Sequence, residues 1–138
     1  MDAISTEVKS KVVVLRGKMV LLDCDLAELY QIELEQIRDV IDGIVNLPDD
    51  YCFKITRRER KRLIVKHPRL GIHAPQELQL AFPERGLYLL APNFRSHVST
   101  VTSMAVIGVF TQARDGYLQK PKRSLINKIL CLLGIQQN

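Results

Sequence analysis

The stretch "TRRERKRLIVKHPR", residues 56–69, gathers Arg57, Arg58, Arg60, Lys61, Arg62, Lys66 and Arg69 against a single carboxylate, Glu59. Residues 57–69 therefore carry a local net charge of +6. Guanidinium and ammonium groups at this density do one kind of chemistry well: they displace counterions from a phosphate backbone. Just upstream the sign inverts. Residues 33–50 hold Glu33, Glu35, Asp39, Asp42, Asp49 and Asp50 against Arg38, a net −5. Carboxylates are repelled by phosphates and by most base acceptors, so this segment suits water or a basic partner better than a nucleic acid.

Other chemistry has little to work with. His67, His73 and His97 lack a Ser, Cys or carboxylate at a spacing that suggests a triad, and no G-x-G-x-x-G, P-loop or H-E-x-x-H occurs. Cys24, Cys52 and Cys131 form no C-x-x-C pair and sit among apolar neighbours, so they are expected as buried free thiols in a reducing compartment. The expectation is a protein that is not an enzyme and uses no metal or cofactor. The N-terminal residues are too polar for a signal peptide, and the segment 98–110 is too short and too rich in hydroxyls to span a bilayer. A cytoplasmic location without membrane contact follows as an expectation.

The elements that must position these charges can be read from periodicity. Lys11–Leu22 reads as a hairpin, "KVVVL" and "KMVLL" around a turn at Arg16-Gly17. Asp23 or Asp25 is expected to cap a helix running to Tyr30. A second helix, about Glu33 to Val45, would bury Leu34, Ile37, Val40, Ile41 and Ile44. "DDYCFKI" alternates as a strand, and "ELQLAF" suits another. Thr56 with Glu59 forms a capping box that starts a helix running to about Lys66. Pro83 and Glu84 start one that ends at Leu90. A long helix is expected from Ser96 to Arg114, with Val98, Val101, Met104 or Ala105, Ile107 or Gly108, and Phe110 inward. The architecture is α+β: a small hairpin-based sheet with about five helices, and a helix-turn-helix-like element near residues 24–45.

Three blocks in order, "GKMVLLDCDLAELYQIELEQI", "NLPDDYCFKIT" and "LAFPERGLYLLA", resemble the phage open-reading-frame-six N-terminal domain family. That family is kin to the KilA-N domains of phage antirepressors and large DNA viruses. The resemblance covers about residues 12–114. It implies a DNA-binding module of a phage or prophage regulator; with the apolar spacing of the tail, the expected division is a domain at 1–118 and an amphipathic tail helix at 119–138. The chain departs from the family where it matters for DNA. Gln31 stands where a glycine usually follows the tyrosine, and "IDGIVNLPDDY" replaces a basic run in the second helix. Phe82-Pro83-Glu84-Arg85-Gly86 replaces the commoner "AFTEQG".

DNA contact is therefore expected from Arg57, Arg58, Arg60, Lys61, Arg62, Lys66 and Arg69, with Arg16 and Lys18 extending the patch as a wing. Glu33, Glu35, Asp39 and Asp42 form either a solvated face or a docking face for a basic partner, such as a repressor or a second copy. In the tail, Leu125, Ile129, Leu132 and Leu133 share one side, which either folds back on the core or pairs with another copy as a homodimer.

Overall fold

Arg16 and Gly17 both adopt positive φ, 54° and 73°. These are the two left-handed positions that a tight turn between right-twisted strands requires. They join β1 (Val13–Leu15) to β2 (Lys18–Leu22), with Val13 opposite Val20 and Leu15 opposite Lys18. The computed structural model describes residues 3–119 and Gly134. Beyond the hairpin, β2 pairs with β4 (Leu80–Phe82), which in turn pairs with the two-residue β3 (Phe53–Lys54). The sheet is antiparallel throughout, in the order β1-β2-β4-β3.

Alternation along the strands feeds two separate cores. Leu21 and Phe82 join a cluster with Val8, Leu26, Leu29, Tyr30, Ile37, Leu87, Leu90, Val106 and Phe110. These come from α1 (Ala3–Lys11), α2 (Asp23–Tyr30), α3 (Leu34–Asp42), α5 (Glu84–Leu90) and α6 (Ser99–Gln119). Val20, Leu22, Phe53 and Ala81 point the other way, into a smaller cluster with Leu63, Leu70 and Leu78. Leu63 is the one fully buried residue of α4 (Arg57–Lys66). The basic helix thus packs on the side of the sheet that carries Val20, Leu22, Phe53 and Ala81, followed by 3-10 turns at Pro68–Ile72 and Pro75–Glu77.

Gly86 of the Pro83-Glu84-Arg85-Gly86 block has no room for a side chain. A Cβ there would stand 1.6 Å from the Tyr51 carbonyl oxygen, so α5 can dock on the segment before β3 only with glycine at this place.

Several expectations need correcting. Six α-helices occur among the described residues, in keeping with the about five expected, but one of them was not foreseen. The extra one, α1, lies in a polar sequence whose buried apolar contribution is Val8, so periodicity gives it no signal, and it is held by packing on α6. The N-cap of α2 is Leu22 rather than either aspartate. α6 starts at Ser99 and passes through Gly116 to Gln119. Its buried face is Thr102, Ala105, Val106, Val109, Phe110 and Ala113, while Val101, Met104 and Ile107 face solvent. Two hydroxyls turn the helix this way. Thr102 Oγ1 donates to the Leu29 carbonyl at 3.3 Å, and the Ser103 hydroxyl meets Tyr30 Oη at 2.7 Å. The expected tail helix lies, apart from Gln119 and Gly134, outside the described residues.

Candidate nucleic-acid interface

The local reason for α4 is its start. Thr56 Oγ1 accepts from the Glu59 amide at 3.1 Å, and Glu59 Oε1 accepts from the Thr56 amide at 2.9 Å. This reciprocal cap satisfies two amides that the first turn would otherwise leave orphaned. Glu59 does a second job. Arg16 reaches from the hairpin tip to donate to both Glu59 carboxylate oxygens, at 2.9 and 3.1 Å, and to the Lys54 carbonyl at 3.2 Å. The Arg16 guanidinium also lies 4.0 Å from the centre of the Phe53 ring. The hydrogen bonds from Arg16 hold the Glu59 carboxyl down at about 2, below the usual carboxylate range. The single anion of the helix is thereby consumed at its base.

The exposed charges that remain on the helix are all cationic. Arg57, Arg58, Lys61, Arg62 and Lys66 are all exposed, and none enters an ion pair among the described residues. At 3.6 residues per turn these five positions sweep about 180° of the helix circumference. Val65, 80% exposed, sits near the middle of that arc.

The remaining predicted contacts divide. Arg60 is half-buried and donates to the Leu78 carbonyl at 3.1 Å, tying α4 to the turn before β4. Arg69 is a correction: it grips both oxygens of the fully buried Asp25, at 2.8 and 3.1 Å, and also donates to the Lys11 carbonyl at 3.3 Å. A buried carboxylate without such a partner is costly, so Arg69 is committed to the fold rather than to a ligand. Arg16 is likewise held inward on Glu59. Lys18 is exposed but turns away from α4, lining a cleft of about 430 Å³ between the hairpin tip, the start of α5 and α6. The hairpin therefore adds one free cation rather than a second arm of the patch.

The acidic helix mirrors this arrangement. Its single cation, Arg38, folds back so that Nη2 donates to the Gln76 carbonyl and lies 3.7 Å from Asp23. Asp23 is fully buried and accepts from the Cys24 amide at 3.0 Å and the Gln79 amide at 3.2 Å. Burial raises its carboxyl to about 6 even though those amides and Arg38 pull it down. With Arg38 withdrawn, Glu33, Glu35, Asp39 and Asp42 are all exposed and have no ion-pair partner among the described residues. Glu35, Asp39 and Asp42 fall within about 60° on the helix surface. Glu33 stands apart as the N-cap, its amide donating to Gln36 Oε1 at 2.9 Å.

Sequence reasoning missed the inward turn of Arg38 and the Arg16–Glu59 and Arg69–Asp25 pairs. The last two join residues 43 and 44 positions apart, and no local pattern marks them. Among the described residues no three His, Cys, Asp or Glu side chains come together as a metal site. Burial pushes the Cys24 thiol up, and the Cys52 thiol up to about 12, which leaves both unreactive. No helix of the described residues is long and apolar enough to cross a membrane.

A four-stranded antiparallel sheet with six α-helices among the described residues, one of them carrying only cations among its exposed charges, defines a small α+β domain. The sequence profile of the ORF6N domain matches residues 10–92, and the chain belongs to that family. Membership points to a phage-type regulatory domain. No curated protein and no solved structure gives a significant match.

Proposed function

We propose that this protein is a DNA-binding regulator of the phage or prophage type, related to antirepressors and without enzymatic activity, working in the cytoplasm. It grips the phosphate backbone through Arg57, Arg58, Lys61, Arg62 and Lys66. The observation that carries this reading is that the five cations have no carboxylate partner within the described fold. The arrangement costs stability. The pairs Arg57–Lys61, Arg58–Arg62 and Arg62–Lys66 are like charges four residues apart, each worth about 0.2–0.5 kcal/mol of repulsion. Arg57 and Arg58 also sit at the positive end of the helix dipole, where anions are favoured. A polyanion relieves both penalties.

Contacts of this kind position a protein on DNA without reading sequence. Base reading by α3 is disfavoured by its own carboxylates, so the α2–α3 pair serves as scaffold. The test is retardation of a non-specific duplex at two salt concentrations. Binding is expected at low salt, with steep weakening at the higher one, and is expected to vanish in the quadruple variant R57E/R58E/K61E/R62E. Retardation unchanged by the quadruple substitution would refute the assignment.

A second reading has its own observation, the withdrawal of Arg38, which leaves the α3 acids unopposed. In that case α3 docks on a basic partner protein such as a repressor. No retardation at low salt, together with capture of a repressor that is lost in E35K/D39K, would favour it.

A further inference from the structure

Apolar side chains exposed singly on a surface are ordinary, but the place of Val65 is not. It is 80% exposed on α4 and stands among the five cations that have no ion-pair partner among the described residues. A helix turns about 100° per residue, which sets the positions round its axis. Arg57 and Lys61 run along one edge of the outer face, and Arg62 and Lys66 run along the other, centred about 140° away. Val65 lies between these rows, about 40° from Lys61 and about 60° from Arg62. It is also about 160° from Leu63, the buried anchor of the helix, so it marks the side turned away from the sheet. Arg58 shares this midline at the start of the helix, about 10.5 Å along the axis. A solvated face gains nothing from valine here, because its branched side chain makes it a poorer helix former than Ala, Lys or Glu.

We infer that α4 lies in the major groove with Val65 against the C5 methyl group of a thymine, which gives the protein a preference for A·T pairs at that position. The inference rests on the DNA-binding reading above and adds a base contact to it. Two rows of cations on either side of a midline match the two phosphate walls of a groove, whereas a helix laid across one backbone needs only one row. The dimensions agree: the major groove is about 12 Å wide, and a helix with its side chains measures about 10–12 Å across. Arginine and lysine at the edges have the length to reach a wall. Valine has not, so it touches what lies directly beneath the helix, the base edges. Those edges present hydrogen-bond donors and acceptors and one kind of apolar group, the thymine methyl. A base amino or carbonyl group pressed against Val65 would lose its water and gain no partner, which disfavours G·C there. The thymine methyl instead leaves water together with the valine methyls.

Fluorescence anisotropy of the full chain with short labelled duplexes tests this. An alternating adenine–thymine duplex offers a methyl in every register, and the same duplex with deoxyuridine for thymidine lacks only the methyls. The first is expected to bind about fourfold more tightly, the equivalent of burying one methyl group. Replacing cytosine by 5-methylcytosine in an alternating guanine–cytosine duplex puts a methyl at the corresponding place and is expected to raise affinity by a similar factor. V65S, a change at an exposed site to a residue of similar helix propensity, is expected to bring both ratios close to one. Its salt dependence should match that of the wild type, because no charge is removed. V45A, which trims a comparably exposed valine outside α4, is expected to keep both ratios. Binding that is lost in R57E/R58E/K61E/R62E but ignores the methyl would overturn this inference and leave the DNA-binding reading standing. So would a methyl preference that V65S retains. No binding of any duplex at low salt would overturn both.

Discussion

The acidic and the basic helix of this domain are built by the same device with opposite sign. α3 carries one cation among three acids, with a fourth acid, Glu33, at its N-cap, and α4 carries one acid among six cations. In both, the minority charge is drawn into the fold: Arg38 onto Asp23 and the Gln76 carbonyl, Glu59 into its cap and the grip of Arg16. Each outer face is then left with a single sign. Surface charges in globular proteins are usually interspersed, because like neighbours repel and opposite ones offset each other cheaply. On the DNA-binding reading proposed above, the cationic face serves an external polyanion rather than stability.

Substitutions can break or sharpen that comparison, and the largest effect is expected at Arg69, the cation of the basic stretch that a buried acid draws into the fold. R69A strips the partner from Asp25, a carboxylate with no solvent exposure. The loss should fall at the low end of the roughly 3–5 kcal/mol typical of breaking a buried pair, because Arg69 is itself about a third exposed. Urea denaturation measures it, and a loss below about 1 kcal/mol would mean that Arg69 is available to a ligand after all.

A smaller effect is expected from reversing the acidic face. E35K/D39K changes the charge by four units at exposed positions and should raise affinity for duplex DNA about tenfold at low ionic strength, where screening reaches ~30 Å. Fluorescence anisotropy with a labelled duplex reads this directly. Unchanged affinity would place the α3 face outside the field felt by DNA.

The smallest effect is in the pH dependence of stability, where Glu59 of α4 and Asp23, the α2 carboxylate that faces Arg38, pull in opposite directions. Glu59 ionises more readily in the fold than when unfolded, so its contribution is present above its ordinary value of 4.5 and is lost as pH falls toward about 2. Asp23 has its carboxyl raised from 3.8 to about 6, so its contribution is present below about 4 and is lost as pH rises through about 6. D23N should therefore flatten the decline between pH 4 and 6, whereas E59Q should flatten the rise between pH 2 and 4.5. Chemical denaturation across that range checks both, and a wild-type-like decline in D23N would assign it to another group.

The parts of this design that were legible in the sequence are those written in local spacing. The turn at Arg16-Gly17, the Thr56–Glu59 cap and the "LAFPERG" passage from strand to helix each fix their element within a few residues. The family resemblance rests on such blocks as well, and the ORF6N match at 10–92 falls on them. What stayed hidden is set by packing at a distance. Nothing in "AISTEVKSK" signals a helix until α6 is there to receive Val8. α6 itself has two apolar faces, and the hydroxyls of Thr102 and Ser103, read merely as polar interruptions, decide which one turns inward. The cationic cluster was legible as composition. Only the fold reveals that Arg16, Arg60 and Arg69 are bound within the molecule, while Arg57, Arg58, Lys61, Arg62 and Lys66 have no ion-pair partner among the described residues.

The salt dependence of DNA affinity tests the cationic face most directly. For the intact chain, the logarithm of the association constant should fall linearly with the logarithm of salt concentration, at about −0.9 per phosphate neutralised. Single alanine substitutions at Arg58, Arg62 or Lys66 should each make the slope shallower by about one such increment. R85A, an exposed cation paired with Asp50 on another part of the molecule, should leave it unchanged. Slopes that do not respond to the α4 substitutions, or that respond equally to R85A, would contradict the assignment of the DNA-binding surface to this helix.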